Sequence, residues 1–349
     1  MSDFEDRLAG VLLGTAVGDA LGLPSEGMSA RAVARRFPDF RRYRFLGSAG
    51  VVSDDTEQTA LVAESLLGAN GDPARFVARF RKELLRWFLR LPWGIGLGTL
   101  KACLRIAVGL QPSGANSAGN GAAMRAAIVG VFFHEDTERR RAWSDAVACV
   151  THRDVRAIEG ARYVAELAAL AADHDSTADR EALARAAAAC VQEESVRDAI
   201  EAALTLPAET TIESAGATLG NSGFVLHTLA LATYAFVRFG NDPAAAMAEV
   251  IRAGGDTDST AAIVGAWVGA LHGAAGLPQN LVATLHDRRD GRRVSFAGPS
   301  HLRALATALA SARSSPVYFS GFRACLRNLL LMPVVTVHAF RVAFSRLFP

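Results

Sequence analysis

Paired cysteines are missing from this chain. Its four, Cys103, Cys149, Cys190 and Cys325, lie far apart with no CxxC or CxxH spacing, which leaves a zinc site or a disulfide framework without support. Excess charge of one sign is missing too. Lys and Arg number 37 against 35 Asp and Glu, a net charge of +2, so no global field draws the chain to nucleic acid and no nucleic-acid partner is expected. Aromatic residues are few, at 7 %, and most of the chain lacks the uninterrupted apolar run of a spanning helix. The N-terminus, MSDFEDRLAGVLLG, puts acids ahead of its apolar residues, where a secretory signal would want a basic start. A reducing, cytoplasmic setting is the expectation.

What is abundant is alanine. Half of the 349 residues are hydrophobic and only 21 % are charged, which excludes a disordered chain. Small, strong helix formers suit close helix packing, so the composition leans all-α. Apolar residues recur at helical spacing from Phe4 to Leu13, with Asp3 as N-cap, and again over 55–69 and 74–90. Pro92, Gly94, Gly96 and Gly98 then break the pattern, and the polar stretch 111–124 opens into a helix at about 122–133. Helical patterns continue at 142–150, 154–173, 178–190, 194–204, 223–239, 243–253, 258–272, 280–286 and 300–312. Two short pieces, 41–46 and 50–53, are ambiguous strands, and DRRDGRR (287–293) reads as a charged turn. With few long loops, one all-α domain is expected over 1–312, followed by an apolar and basic tail over 313–349.

Five motifs carry chemistry. Ser53-Asp54-Asp55-Thr56 and Gly254-Gly255-Asp256-Thr257-Asp258-Ser259-Thr260 both sit where helices begin. Caps alone would explain one carboxylate or hydroxyl each. Two carboxylates with flanking hydroxyls in each cluster suggest hard-cation ligands instead, because four converging carboxylates repel and oxygen donors select Mg²⁺, Mn²⁺ or Ca²⁺ over zinc. The glycines before Asp256 let the backbone turn sharply. Gly119-Asn120-Gly121-Ala122, running into Met124-Arg125, is either a plain turn or a phosphate cradle at a helix start. His152, in Thr151-His152-Arg153-Asp154, is either structural or ligand-binding. Asp19, in Gly18-Asp19-Ala20-Leu21-Gly22, needs a buried partner and is read as structural, while Glu26 lies in the loop that follows, with freedom to move.

GDALGLPSE, SDDT, GNGAAMR, THRD and GGDTDSTAAI, in that order, resemble the ADP-ribosylglycohydrolase family over roughly residues 4–312. That resemblance implies an orthogonal all-α bundle with a binuclear magnesium or manganese site. By motif it implies Ser53, Asp54, Asp55, Asp256, Asp258 and Ser259 as metal ligands for two divalent cations, magnesium first. It implies Gly119, Asn120, Gly121 and Ala122 as the loop along the diphosphate and distal ribose, and His152 as a contact to ADP-ribose. Water would attack the anomeric carbon, with Asp55 or Glu26 as its base or orienter. The implied substrate is an ADP-ribosylated protein, arginine-linked by preference, with ADP-ribose as product. The alternatives are another ADP-ribose linkage, a free ADP-ribose derivative, or a silent ADP-ribose-binding or structural member.

The resemblance does not cover the tail. Residues 314–349 combine Arg323, Arg327, Arg341 and Arg346 with an apolar run from Leu329 to Phe340, interrupted by Pro333 and His338. The run is too short for a span of ~20 residues. An extra helix pair folded over the bundle is one reading; a basic amphipathic segment on an anionic membrane or against a partner subunit is the other.

Overall fold

In the computed structural model, residues 1, 70, 286–287, 290–291, 294–296, 312–316, 318 and 348–349 lie outside the described structure. The described residues hold α1 (Asp3–Gly22), α2 (Ala30–Arg36), α3 (Asp54–Leu67), α4 (Pro73–Phe88), α5 (Leu97–Ala107), α6 (Ala127–Phe132), α7 (Thr137–Cys149) and α8 (Val155–Ala172). These are followed by α9 (Arg180–Ala188), α10 (Glu194–Thr205), α11 (Ile212–Leu219), α12 (Val225–Phe239), α13 (Pro243–Arg252) and α14 (Thr257–His272). The last are α15 (Gln279–Thr284), α16 (Pro299–Ala310) and α17 (Gly321–Leu347). A two-rung antiparallel ladder, β1 (Arg288–Arg289) with β2 (Arg292–Arg293), is the described part of the expected charged turn. The architecture is all-α.

Everything is organised around the seam between α1 and α14. Glycines recur every fourth residue on α1, at 10, 14, 18 and 22, which puts them on one face. A Cβ on Gly10 would fall 2.0 Å from the Gly269 carbonyl oxygen, one on Gly14 2.0 Å from that of Gly265, and one on Gly18 2.0 Å from that of Ala261. The two backbones therefore touch, and no larger residue fits between them. The other faces of α1 carry Leu8, Val11, Leu12, Leu13 and Val17, all buried, as expected of a helix enclosed on every side. By length and composition α1 could cross a membrane, yet its apolar stretch from Leu8 to Gly22 is buried in the bundle: it is the core helix. The seam sets Asp19, one residue beyond Gly18, beside the first turn of α14.

Several local expectations need correction. Ser2, not Asp3, caps α1, its hydroxyl accepting from the Glu5 N–H. The expected helix at 122–133 is a 3-10 turn, Ala123–Arg125, followed by the short α6. Helices α2, α5 and α11 carry no signal in the sequence reading above, and α5 begins inside the glycine run that breaks the helical pattern. Neither 41–46 nor 50–53 forms a strand; isolated bridges join Leu46 to Ala49 and Gly50 to Leu285. The tail is one helix through Pro333 rather than a helix pair. It docks on the bundle, where Leu331 packs with Leu23, Val51 and Trp93.

Candidate metal centre and substrate cleft

A cleft of about 760 Å³ gathers the motifs that are scattered along the chain. Glu26, Asp54, Asp55, Asp256, Asp258 and Ser259 line one end; Gly98, Gly119, Asn120, Gly121 and His152 line the other. Among the described residues, no lysine or arginine lines it.

At the acidic end the turn chemistry is legible. Ser53 caps α3 and its hydroxyl donates to Asp55 Oδ2 at 3.1 Å, while Ser259 donates to the same oxygen at 3.3 Å. Asp19 reaches across from α1 and accepts the Ser53 N–H at 2.9 Å, the Thr56 N–H at 3.2 Å and the Thr56 hydroxyl. It thus satisfies free N–H groups at the start of α3 from a distant helix. Asp19 is structural in that sense and more: one oxygen each of Asp19, Asp55 and Asp258 lie within 4.8 Å of one another, a set that could hold a metal ion. Asp54 turns aside to accept from Gln58 Nε2 at 2.9 Å, and Asp256 accepts from Asn120 Nδ2 at 2.6 Å.

At α14, Gly254 and Gly255 adopt φ of +70° and +80°. A Cβ at Gly255 would sit 1.8 Å from the Asn221 carbonyl oxygen, so the sharp turn that presents Asp256 and Asp258 requires glycine there. The same turn pins the Glu26 loop, because the Gly27 N–H donates to the Gly255 carbonyl at 2.7 Å. Glu26 itself is exposed at the rim, but its neighbours are tied down, which narrows the freedom expected of this loop.

Burial raises every carboxyl of this end whose shift is evident. Asp19 is pushed up to about 6 by burial, against the lowering hydrogen bonds of Thr56 and Ser53. Asp55 is held well above the usual carboxylate range by burial and by Asp19 and Asp256. Asp258 is raised by burial and then by Glu26, and Asp54 by burial and then by Asp55. Asp55 Oδ1 is buried and makes no hydrogen bond. An oxygen acceptor left bare among repelling carboxylates fits a hard divalent cation.

At the opposite end both terminal nitrogens of the buried arginine are partnered, and only its Nε is left without a hydrogen bond. Arg125, from the GNGAAMR motif, is wholly buried and donates to Gln58 Oε1 at 2.6 Å, to the Gly121 carbonyl at 2.6 Å, to the Val147 carbonyl and to Thr151 Oγ1. The Thr151 hydroxyl in turn meets His152 Nδ1 at 2.7 Å. One guanidinium so joins the residues behind Asp54 to the glycine loop and to the histidine. Burial lowers Arg125 to about 10 and, with Arg125 nearby, pushes His152 down to about 3, so the imidazole is neutral. Its ring packs on glycines: a Cβ on Gly98 would lie 2.6 Å from Nε2, and one on Gly121 would lie 3.0 Å from Cε1. Ala122 is buried and lies outside the cleft lining, as does Ser53. Gly98, Gln58 and the loop Asn221–Gly223 were not singled out from the sequence, although the Gly96-x-Gly98 pair ahead of an amphipathic stretch was a usable signal.

A sequence model described as ADP-ribosylglycohydrolase matches residues 1–316. The chain belongs to the ADP-ribosylglycohydrolase family. It is similar to an uncharacterized protein of Archaeoglobus fulgidus, 34 % identical over 304 residues, which make up 81 % of this chain and 93 % of the relative. An ADP-ribosyl-[dinitrogen reductase] glycohydrolase of Rhodospirillum rubrum is 32 % identical over 42 % of this chain and 51 % of its own length. An ADP-ribosylarginine hydrolase of Pseudomonas putida is 27 % identical over 79 % of this chain and 73 % of its own. Among solved structures, a chain titled "ADP-ribosylglycohydrolase-related protein complex" superposes with a TM-score of 0.69 at 29 % identity, covering 90 % of this chain and all of that one. ADP-ribosyl hydrolase activity is the general expectation for this family member.

Proposed function

We propose that the protein is a metal-dependent hydrolase that removes mono-ADP-ribose from an arginine side chain of a protein and releases ADP-ribose. The bare, buried Asp55 Oδ1, on a carboxylate clustered with those of Asp19 and Asp258, is the observation that carries this reading. Two divalent cations, magnesium or else manganese, are assigned to Asp54, Asp55, Asp256 and Asp258 with the Ser53 and Ser259 hydroxyls. Bound there, they supply the positive charge that polarises ribose hydroxyls and water at the reacting carbon.

The chain's own groups do the rest. Asn120 bridges the two ends, its amide held by Asp256 and by Thr228, so the glycine loop is in register with the acidic end. Gly119 and Gly121 let a diphosphate approach the backbone closely. His152, neutral, offers Nε2 for one hydrogen bond to the distal ribose, with Thr151 and Arg125 fixing the ring. Either Asp55 or Glu26 takes the proton of the attacking water, and the surrounding carboxylates favour the oxocarbenium-like state at C1″. The arginine linkage is supported by the name of the Pseudomonas putida relative. A silent member is disfavoured by the presence of all four triplet aspartates.

Mono-ADP-ribosylated arginine and serine peptides, each with Mg²⁺ and with excess EDTA, test the reading. ADP-ribose should appear from the arginine peptide only with metal. Full release in EDTA would remove the metal role, and release from the serine peptide alone would move the acceptor.

A further inference from the structure

The last acidic residue of the chain is Asp290; eight arginines and no Asp or Glu follow it, so residues 1–290 carry a net charge of −6 within a chain of +2. The helix that ends this acid-free segment has two apolar faces. One is spent on the bundle: Ala324, Asn328 and Leu331 are buried, Arg327 pairs with the buried Glu57 of α3, and Asn328 Nδ2 donates to the Arg90 carbonyl at 2.9 Å. The other points outward. Phe322 and Phe340 are 80 % and 72 % exposed, and Leu326, Leu329, Leu330 and Val337 are exposed with them. At about 100° per residue these six fall within roughly a 100° arc that contains no charged residue, with Arg323 at its border.

The start of the stripe adjoins a basic cavity. Arg75, Arg79, Lys82, Arg86 and Arg90, at helical spacing on one side of α4 and just beyond it, line a cavity of about 930 Å³ together with Val317, Phe319 and Gly321. Its acids are Glu64 and Glu83, with Arg86 paired to Glu83. Among the described residues, Arg79 and Lys82 have no carboxylate partner. Phe322 follows Gly321 directly, so the cavity mouth and the apolar stripe are continuous.

We propose that this face lies on a membrane surface: α17 rests in the plane of a bilayer with Phe322, Leu326, Leu330 and Phe340 at the headgroup–acyl boundary, and the basic cavity of α4 takes an anionic phospholipid headgroup. An apolar stripe combined with cations is the requirement for stable interfacial binding, since either alone is marginal. The helix does not span, because its other face is bonded to the bundle through Arg327 and Asn328. A second copy pairing stripe to stripe would bring arginine-flanked faces together with no acid in the segment to neutralise them.

Sedimentation of the full chain with vesicles tests this. The protein should pellet with vesicles containing phosphatidylglycerol and remain in solution with phosphatidylcholine alone. The variant F322D/L330D/F340D should bind at least about tenfold more weakly, and R79A/K82A about tenfold more weakly on the anionic vesicles alone. All substituted side chains except Arg79 are exposed or flexible at their ends, and far-ultraviolet circular dichroism checks the fold; if the triple variant loses helix, F322D and F340D singly replace it. Failure of the wild type to bind anionic vesicles overturns the proposal, as does unchanged binding by the variants. A concentration-dependent dimer abolished by the triple variant, without vesicle binding, would assign the stripe to a second copy and overturn it equally.

Discussion

At one end of the cleft, Asp19, Asp55 and Asp258 crowd together with raised proton affinities and one oxygen that nothing satisfies. At the other end, Arg125 fills four acceptor positions, and His152 is stripped of its charge by burial. Both ends bury ionisable groups, and they meet the cost of burial in opposite ways. The carboxylates repel one another and wait for external positive charge; the two terminal nitrogens of Arg125 and the Nδ1 of His152 meet neutral protein groups, with only Arg125 Nε left over. An end where like charges crowd is where a cation belongs, and an end whose single charge sits among neutral acceptors is a preformed surface for a ligand.

The comparison breaks first at the acidic end. D258A should lower hydrolysis by roughly a thousandfold or more, the several kcal/mol that a bound cation gives a transition state. The same change relieves repulsion among buried carboxylates, so the metal-free melting temperature should hold or rise, while the stabilisation by Mg²⁺ disappears. Calorimetric melting with and without Mg²⁺ checks this; a variant that keeps the full metal-induced shift would show that Asp258 holds no cation.

A smaller effect is expected at the glycine end. In G121V the new side chain would press on His152, whose Cε1 stands 3.0 Å from a Cβ at that position. Overpacking of about 1–3 kcal/mol corresponds to roughly five- to 150-fold weaker ADP-ribose binding. The metal-induced melting shift should survive. Titration calorimetry that found unchanged affinity would remove the cradle assignment.

The effect that needs neither metal nor ligand is on the pH dependence of folding. His152 falls from 6.5 in the unfolded chain to about 3 in the folded one, so below pH 6.5 the unfolded state binds a proton that the folded state refuses. Its contribution is fully present above pH 6.5 and is lost as pH falls toward 3, by up to about 1.4 kcal/mol per unit. Asp19 moves the other way, from 3.8 to about 6, and costs the metal-free protein stability as pH rises through that window. H152Q should flatten the first slope and leave the second, as followed by urea titrations between pH 4 and 7. Identical curves for variant and wild type would show that the ring is not buried neutral.

Helix boundaries such as those of α3, α4 and α8 were legible because their apolar spacing and Ser or Asp caps are local, and that of α12 because its apolar spacing runs to Gly240. The Gly254–Gly255 turn was legible for the same reason, since positive φ demands glycine whatever surrounds it. Helix α5 was hidden by the glycines that precede it, and the length of the helix after Gly121 was overestimated because nothing local marks a 3-10 turn.

The sequence by itself determined that this chain is helical, that its chemistry lies in five short motifs, and that two of them carry paired carboxylates at helix starts. These follow from spacing, capping and side-chain type, which need no neighbour from elsewhere in the chain. Only the tertiary structure decided what meets what. Asp19 became both an acceptor for the Ser53 and Thr56 N–H groups at the start of α3 and a member of the carboxylate cluster because glycines at 10, 14 and 18 let α1 touch α14. Arg125, an unremarked end of a glycine motif, became the post that joins Gln58, Gly121 and Thr151. The tail became part of the bundle because Glu57, buried beside Trp87, takes Arg327 as its counter-charge. In each case at least one partner lies tens to hundreds of positions away, and that pairing is set by backbone approach and the cost of an unpaired buried group, neither of which a local pattern records.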